Sequence, residues 1–353
     1  MLADCMASSL KGSRSASYLF LLVACFLCSL PHNLASFLQV NTTLLQRSGD
    51  AILVSWFDVQ PSSSDNITVT ANNLTILSFP VTSSPTWSLG NGSLAIRLVS
   101  IYAPISITYT SHLGILAQSP VIIFSDPNEP LFPRLSLLGD SSNTIVVTWT
   151  SARFTGSERV LARPSGCQLC DFKEFPLLGG GNITYSVDDM CGGVAKGKGW
   201  MEPGFQLSAA LHGLASSSEY EYVYGTADSQ SLVSLLRTPP AANSTSTVHV
   251  FLFGDMGVAA APPNGFPASL STVNTILLSA ANTSVEEYTS VLHIGDISYA
   301  MGFQFYWPLF LDQIQPLASH AIYQLSIGNP ALPSKKRTLH WHCDRDTLLL
   351  AFA

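Results

Sequence analysis

Three short segments of the 353-residue chain set a glycine before an oxygen- or amide-bearing side chain. They are Gly254-Asp255-Met256-Gly257, Gly295-Asp296-Ile297-Ser298-Tyr299 and Gly328-Asn329-Pro330. Carboxylate and phenolate oxygens are hard donors, suited to ferric iron or to a divalent cation. Taken singly, each segment also reads as an ordinary turn, because Gly and Asp dominate turns. Their order, each following an apolar run, sets them apart.

Those apolar runs are the elements that must position the donors. Val248–Phe253 (VHVFLF), Val291–Ile294 (VLHI) and Tyr323–Ile327 (YQLSI) read as strands, the first two continuously apolar as in parallel strands buried on both faces. Between the first pair, Leu270, Val273, Leu277 and Ala280 share one helical face. Trp307–Leu317 reads as a second helix, with Pro308 tolerable in its first turn. This βαβαβ order places all three segments at the carboxyl ends of neighbouring strands, where ligands collect in open α/β sheets. His293 and His249 fall within the strands and read as core or edge residues rather than ligands.

Upstream the pattern is all-β. Ala51–Trp56, Asn66–Val69, Leu94–Val99 and Ile105–Tyr109 are short β-branched runs separated by Ser, Pro, Asn and Gly, which predicts a sandwich over 37–126. Asp126-Pro127-Asn128-Glu129-Pro130 reads as a linker. Leu135–Leu138, Ile145–Thr150 and Tyr220–Gly225 predict a second sandwich over 127–240, of fibronectin type III or immunoglobulin-like kind. The expected fold class is therefore β followed by α/β.

Composition narrows the field. Hydrophobic residues make up 47% and charged residues 11%, with a net charge of −7. That supports a sizeable core and argues against a nucleic-acid binder, which would carry a basic stripe. Residues 1–36 read as a signal peptide: Lys11 and Arg14 precede the apolar run Tyr18–Leu30, which is shorter than the ~20 residues a membrane span needs. Seven N-x-S/T sequons, at Asn41, Asn66, Asn73, Asn91, Asn182, Asn243 and Asn282, agree with export and N-glycans. The expectation is a secreted glycoprotein, extracellular, apoplastic or vacuolar, with no membrane segment after leader cleavage. Cleavage would leave Cys167, Cys170, Cys191 and Cys343. A disulfide among the first three is expected in an oxidising compartment; the pairing stays open, and no second Cys or His pair supports zinc at Cys167-x-x-Cys170.

The ordered set GDMG, GDISY and IGN resembles the first three metal motifs of the purple acid phosphatases, which are calcineurin-like metallophosphoesterases. Val291–Ala300 (VLHIGDISYA), Pro316–Ser319 (PLAS), Asp189–Gly192 (DMCG) and Thr238–Ala241 (TPPA) look like the larger plant-type members. The likeness runs from about Asp126 to Asn329, and 37–126 resembles, less specifically, the extra N-terminal β domain of those members. It implies fibronectin type III-like β-sandwiches followed by the first part of a metallophosphoesterase α/β sandwich over 241–329. It further implies Asp255 as a ferric ligand, Asp296 as the bridging carboxylate, Tyr299 as the ferric tyrosinate behind the purple colour, and Asn329 as a ligand of zinc or manganese. The implied reaction is phosphate-ester hydrolysis at acidic pH, and many members are homodimers.

The sequence also departs from that family. Pro330 stands where the motif continues to a histidine thought to touch the phosphate or leaving group, so no catalytic residue carries over. The later V-x-x-H and G-H-x-H motifs are not recognisable. His340-Trp341-His342 has ligand spacing without the Gly-His context, and the tail Pro330–Ala353 shows no likeness. The expectation is a chain truncated after the third metal motif, with an incomplete site and little or no hydrolase activity. The alternatives are a non-catalytic secreted β-sandwich interaction protein, or an incomplete gene model.

Overall fold

The computed structural model describes residues 38–139, 144–190, 192–259, 265–281 and 288–326. The expected leader, Cys191, Asn282, Asn329, Pro330 and the tail lie outside the described residues.

Nine strands build the N-terminal sandwich: β1 Leu38–Val40, β2 Leu44–Leu45, β3 Ala51–Trp56, β4 Asn66–Ala71, β5 Leu74–Pro80, β6 Gly92–Arg97, β7 Ser106–Ser111, β8 Gly114–Gln118 and β9 Ile123–Phe124. A three-stranded sheet, β1-β3-β6, faces a four-stranded sheet, β5-β4-β7-β8. Alternation along β3 turns Ile52, Val54 and Trp56 inward, as the two-residue period of a strand requires. Trp56 meets Tyr109 of the opposite sheet edge-on, with ring centroids 6.2 Å apart. Asn72 and Asn73, both at positive φ, form the two-residue turn between β4 and β5.

The second β region holds β10 Leu131–Leu137, β11 Thr144–Ser151, β12 Arg159–Pro164, β13 Lys173–Ile183, β14 Phe205–His212, β15 Glu219–Gly225 and β16 Ser234–Arg237, with a four-residue helix α1, Gly193–Lys196. The first half of β13 pairs with β12 and its end with β14, so one strand serves both layers. The two layers close over Trp149, Phe175, Leu207, Tyr222 and Leu236.

The third region carries β17 Val248–Phe253, helix α2 Ala268–Ala281, β18 Tyr288–His293, helix α3 Tyr306–Ala318 and β19 Ile322–Leu325. The three strands are parallel, in the order β19-β18-β17, and β19 also pairs in parallel with β10. The sheet therefore runs unbroken from the second β region into the third. Two polar contacts tie α3 across these regions. The Tyr222 hydroxyl donates to the Ser319 carbonyl at 2.7 Å. Arg97 of β6 donates both terminal nitrogens to Asp312, at 2.6 and 2.8 Å. A half-exposed bidentate pair of this kind contributes about 1 kcal/mol. Arg97→Ala is expected to lower stability by about that much and to raise amide exchange in β6 and α3 together; protection unchanged in α3 would show that the pair does not couple the two regions.

Two expectations are corrected. β17 is not buried on both faces: it is the outermost strand, and Val248, Val250 and Leu252 are exposed while Phe251 and Phe253 pack inward. Leu292 and Ile294 extend this outer apolar face. On α2 the buried residues are Ser269, Val273 and Ile276, with Leu270 turned to solvent, because the helix turns its Ser269 side toward α3, where the Ser269 hydroxyl donates to Gln313 Oε1 at 3.3 Å. Among the described residues β17 has no second neighbouring strand, and a strand edge of that kind beside an apolar face favours self-association. Concentration-dependent growth in light-scattering mass is expected, and Val250→Lys with Leu252→Lys should suppress it; equal association of this double variant would place the contact elsewhere.

Candidate metal centre

Asp255 follows β17 and Asp296 follows β18. The parallel ladder continues past both strand ends: Asp255 N–H donates to the Gly295 carbonyl at 3.1 Å, Met256 N–H to Asp296 at 3.2 Å and Gly257 N–H to Ile297 at 2.8 Å. Met256, Ile297 and Ala300 are buried in the core and anchor the two loops from beneath. Asp255, Asp296 and Tyr299 have φ of 55°, 50° and 52°. Left-handed backbone at three non-glycine residues is costly and collects at functional sites. Here it turns three donors toward one point.

The Tyr299 hydroxyl donates to Asp255 Oδ1 at 2.6 Å, with Asp296 Oδ2 a second acceptor at 3.1 Å. Burial, then the two carboxylates, push the phenol well above its usual range. Asp255 is exposed, and Asp296 and Tyr299 are half-buried, so the cluster faces the sheet edge with an open side. Sequence reading and structure thus agree on the convergence of these three; Asn329 is outside the described residues.

The positioning groups are less visible in sequence. Phe266 packs its ring 5.0 Å from that of Tyr299. Gly257, at φ 69°, lies so close to Phe266 that a Cβ there would sit 2.5 Å from the ring. Gln313 of α3 donates from Nε2 to the Gly257 carbonyl at 3.1 Å and accepts from Ala259 N–H at 2.8 Å, stapling the first loop to the helix. Its signal in sequence is an amide on the apolar face of Leu309, Phe310, Ile314 and Leu317. His293 is fully buried below the site; Nδ1 lies 3.0 Å from the Tyr323 hydroxyl, and the ring packs on Phe253 at 4.7 Å. Burial drives its pKa down to about 4, against a weaker pull upward from Asp255.

Two carboxylates and a phenol within hydrogen-bond reach fit one hard cation. Among the described residues no group of three or more His, Cys, Asp and Glu gathers to hold a metal.

The fold is a fibronectin type III-like β domain followed by metallophosphoesterase strands and helices. It superimposes on the purple acid phosphatase PPD1 from yellow lupin (Lupinus luteus) seeds with a TM-score of 0.72 and 25% identity, covering 85% of this chain and 58% of that one. No family model matches. Over 254 residues the chain is 32% identical to an Arabidopsis thaliana protein named "Probable inactive purple acid phosphatase 1", covering 68% of this chain and 40% of the relative. It is 27% identical over 325 residues to "Probable inactive purple acid phosphatase 9" of the same plant, covering 83% and 48%. The chain belongs to the purple acid phosphatase family. It spans about 40% of the length of the first curated relatives it matches.

Proposed function

We propose that this chain is a secreted, N-glycosylated purple acid phosphatase-like protein that binds a hard metal ion through Asp255, Asp296 and Tyr299 and turns over phosphate esters weakly or not at all. The observation that carries the metal reading is the Tyr299 hydroxyl set between two carboxylates, with all three residues on left-handed backbone. The family's ferric iron and divalent zinc or manganese would supply Lewis acidity and a nucleophile at such a site. On this chain, Asp255 and Tyr299 would hold the ferric ion, and Asp296 would reach both ions, with Asn329 on the divalent side. The Tyr299 proton must leave as metal binds, so uptake releases a proton and weakens as pH falls. Weak turnover is supported by Pro330 and by the printed names of the relatives.

Exposed side chains at Asn41, Asn73, Asn91, Asn182 and Asn243 support glycosylation there. Among the described residues no helix is long and apolar enough to cross a membrane.

The test is metal content, visible absorption and p-nitrophenyl phosphate hydrolysis of the secreted chain at acidic pH. The expected result is bound iron with a tyrosinate charge-transfer band that Tyr299→Phe abolishes, and hydrolysis near background. Iron-free protein after iron loading would overturn the metal reading, and robust hydrolysis would overturn the weak-turnover reading. The second reading, a β-sandwich interaction protein, is favoured if no metal binds while the fold stays intact.

A further inference from the structure

The structure joins Cys167 and Cys170 in a disulfide, three residues apart in sequence with Cα atoms 5.3 Å apart. The pair sits at the tip of the hairpin between β12 and β13. Its ring is closed by a short turn in which Cys170 N–H donates to the Cys167 carbonyl at 3.2 Å. Leu169, between the two cysteines, is 98% exposed, and Gly166, Gln168 and Asp171 are exposed as well. Both sulfurs belong to half-exposed residues.

This bond holds little of the fold. β12 is registered against β13 from Arg159 to Ala162 and against β15 from Arg159 to Pro164, independently of the tip. The constraint a disulfide places on the unfolded chain grows with the logarithm of the loop it closes, and this loop is among the shortest that can be closed. Disulfides that are exposed are the reducible, regulatory ones, whereas structural ones resist reduction. Two cations stand at the base of the tip: Arg163, lying over the Phe172 ring at 4.5 Å and paired with Glu221, and Lys173, over the Phe175 ring at 4.7 Å. The Cys-x-x-Cys arrangement favours a thiolate leaving group.

We propose that Cys167–Cys170 is a thiol–disulfide exchange site whose co-reactant is a dithiol reductant, with Leu169 presented as the apolar contact for it. A reductant thiolate attacks one cysteine sulfur; the Cys167–Cys170 bond breaks, a mixed disulfide forms, and the other cysteine departs as a thiolate that takes up a proton. The reductant's second thiolate then attacks the mixed disulfide and releases the remaining cysteine. The chain gains two electrons and two protons, and the dithiol becomes a disulfide.

The test treats the full chain with dithiothreitol under native conditions, traps thiols with N-ethylmaleimide, and maps the peptide holding both cysteines by mass. The expected result is double labelling of Cys167 and Cys170 at a rate within ~10-fold of that in the urea-unfolded chain, with unchanged circular dichroism and unfolding midpoint. Native reduction slower by ~1,000-fold or more, or reduction that unfolds the chain, would overturn the proposal and make the bond structural. A Cys167→Ser, Cys170→Ser double variant provides an independent reading: native stability supports an exchange site, and failure to fold overturns it.

Discussion

Between pH 6.5 and pH 4 the chain is expected to lose about 3 kcal/mol of stability through His293 alone. The fold favours the neutral ring: the imidazole is fully buried, packed against Phe253, Phe310 and Tyr323, and its pKa is pushed down to about 4. In the unfolded chain the ring protonates near its ordinary 6.5. As pH falls below 6.5, the unfolded state binds the extra proton and the folded state does not, so stability declines. The decline ends near pH 4, where the folded ring itself protonates, and above 6.5 this group contributes no slope. Asp255, the nearby carboxylate, opposes the shift without cancelling it. Denaturant midpoints measured at intervals across this window should show the loss, and His293→Gln, neutral throughout, should flatten it. A parallel slope in wild type and variant would assign the acid sensitivity to other groups. Acidic pH, where the family's chemistry is expected, is thus the range in which His293 withdraws its contribution to stability.

The second large effect is expected at Gly257. Gly257→Val combines two penalties at one atom. A β-branched residue at φ 69° is a backbone outlier, and its Cβ would lie 2.5 Å from the Phe266 ring. Strain of this kind costs about 1–3 kcal/mol, and crowding adds a comparable amount. Phe266 can move only by leaving Tyr299, whose ring it covers at 5.0 Å. The phenol then loses its support, and the spacing of Tyr299, Asp255 and Asp296 with it. A fall in stability of about 2–5 kcal/mol is expected, with metal affinity reduced ~10–100-fold where the protein still folds. Gly257→Ala should fall between wild type and valine. Should the valine variant keep both its unfolding midpoint and its metal affinity, Phe266 would have no positioning role.

Much of the site was legible because its logic is local. Asp255, Asp296 and Tyr299 each follow a strand and a glycine, and parallel neighbouring strands must deliver their ends to one edge. What escaped was what holds them there. Gln313 lies 56 residues from Gly257, whose carbonyl it binds, and no local pattern shows that an amide on a helix will meet that turn. Phe266 reads as one more apolar residue until its ring is seen between Gly257 and Tyr299. The burial of β17 and β18 was misread for a similar reason: an apolar run specifies a strand but not whether a second layer covers both of its faces, and Val248, Val250 and Leu252 of β17 share an exposed face with Leu292 of β18.

The sequence by itself determined the order of the regions, two β-rich ones before a βαβαβ unit, and that Asp255, Asp296 and Tyr299 share one edge of the sheet. Periodicity and turn chemistry act over a few residues and need no distant partner. Only the tertiary structure decided that β10 and β19 join these regions into one sheet, that Arg97 reaches Asp312, that Cys167 pairs with Cys170, and that His293 lies sealed beneath the site. Those outcomes depend on which surfaces meet, and that is set by the packing of residues far apart in the chain.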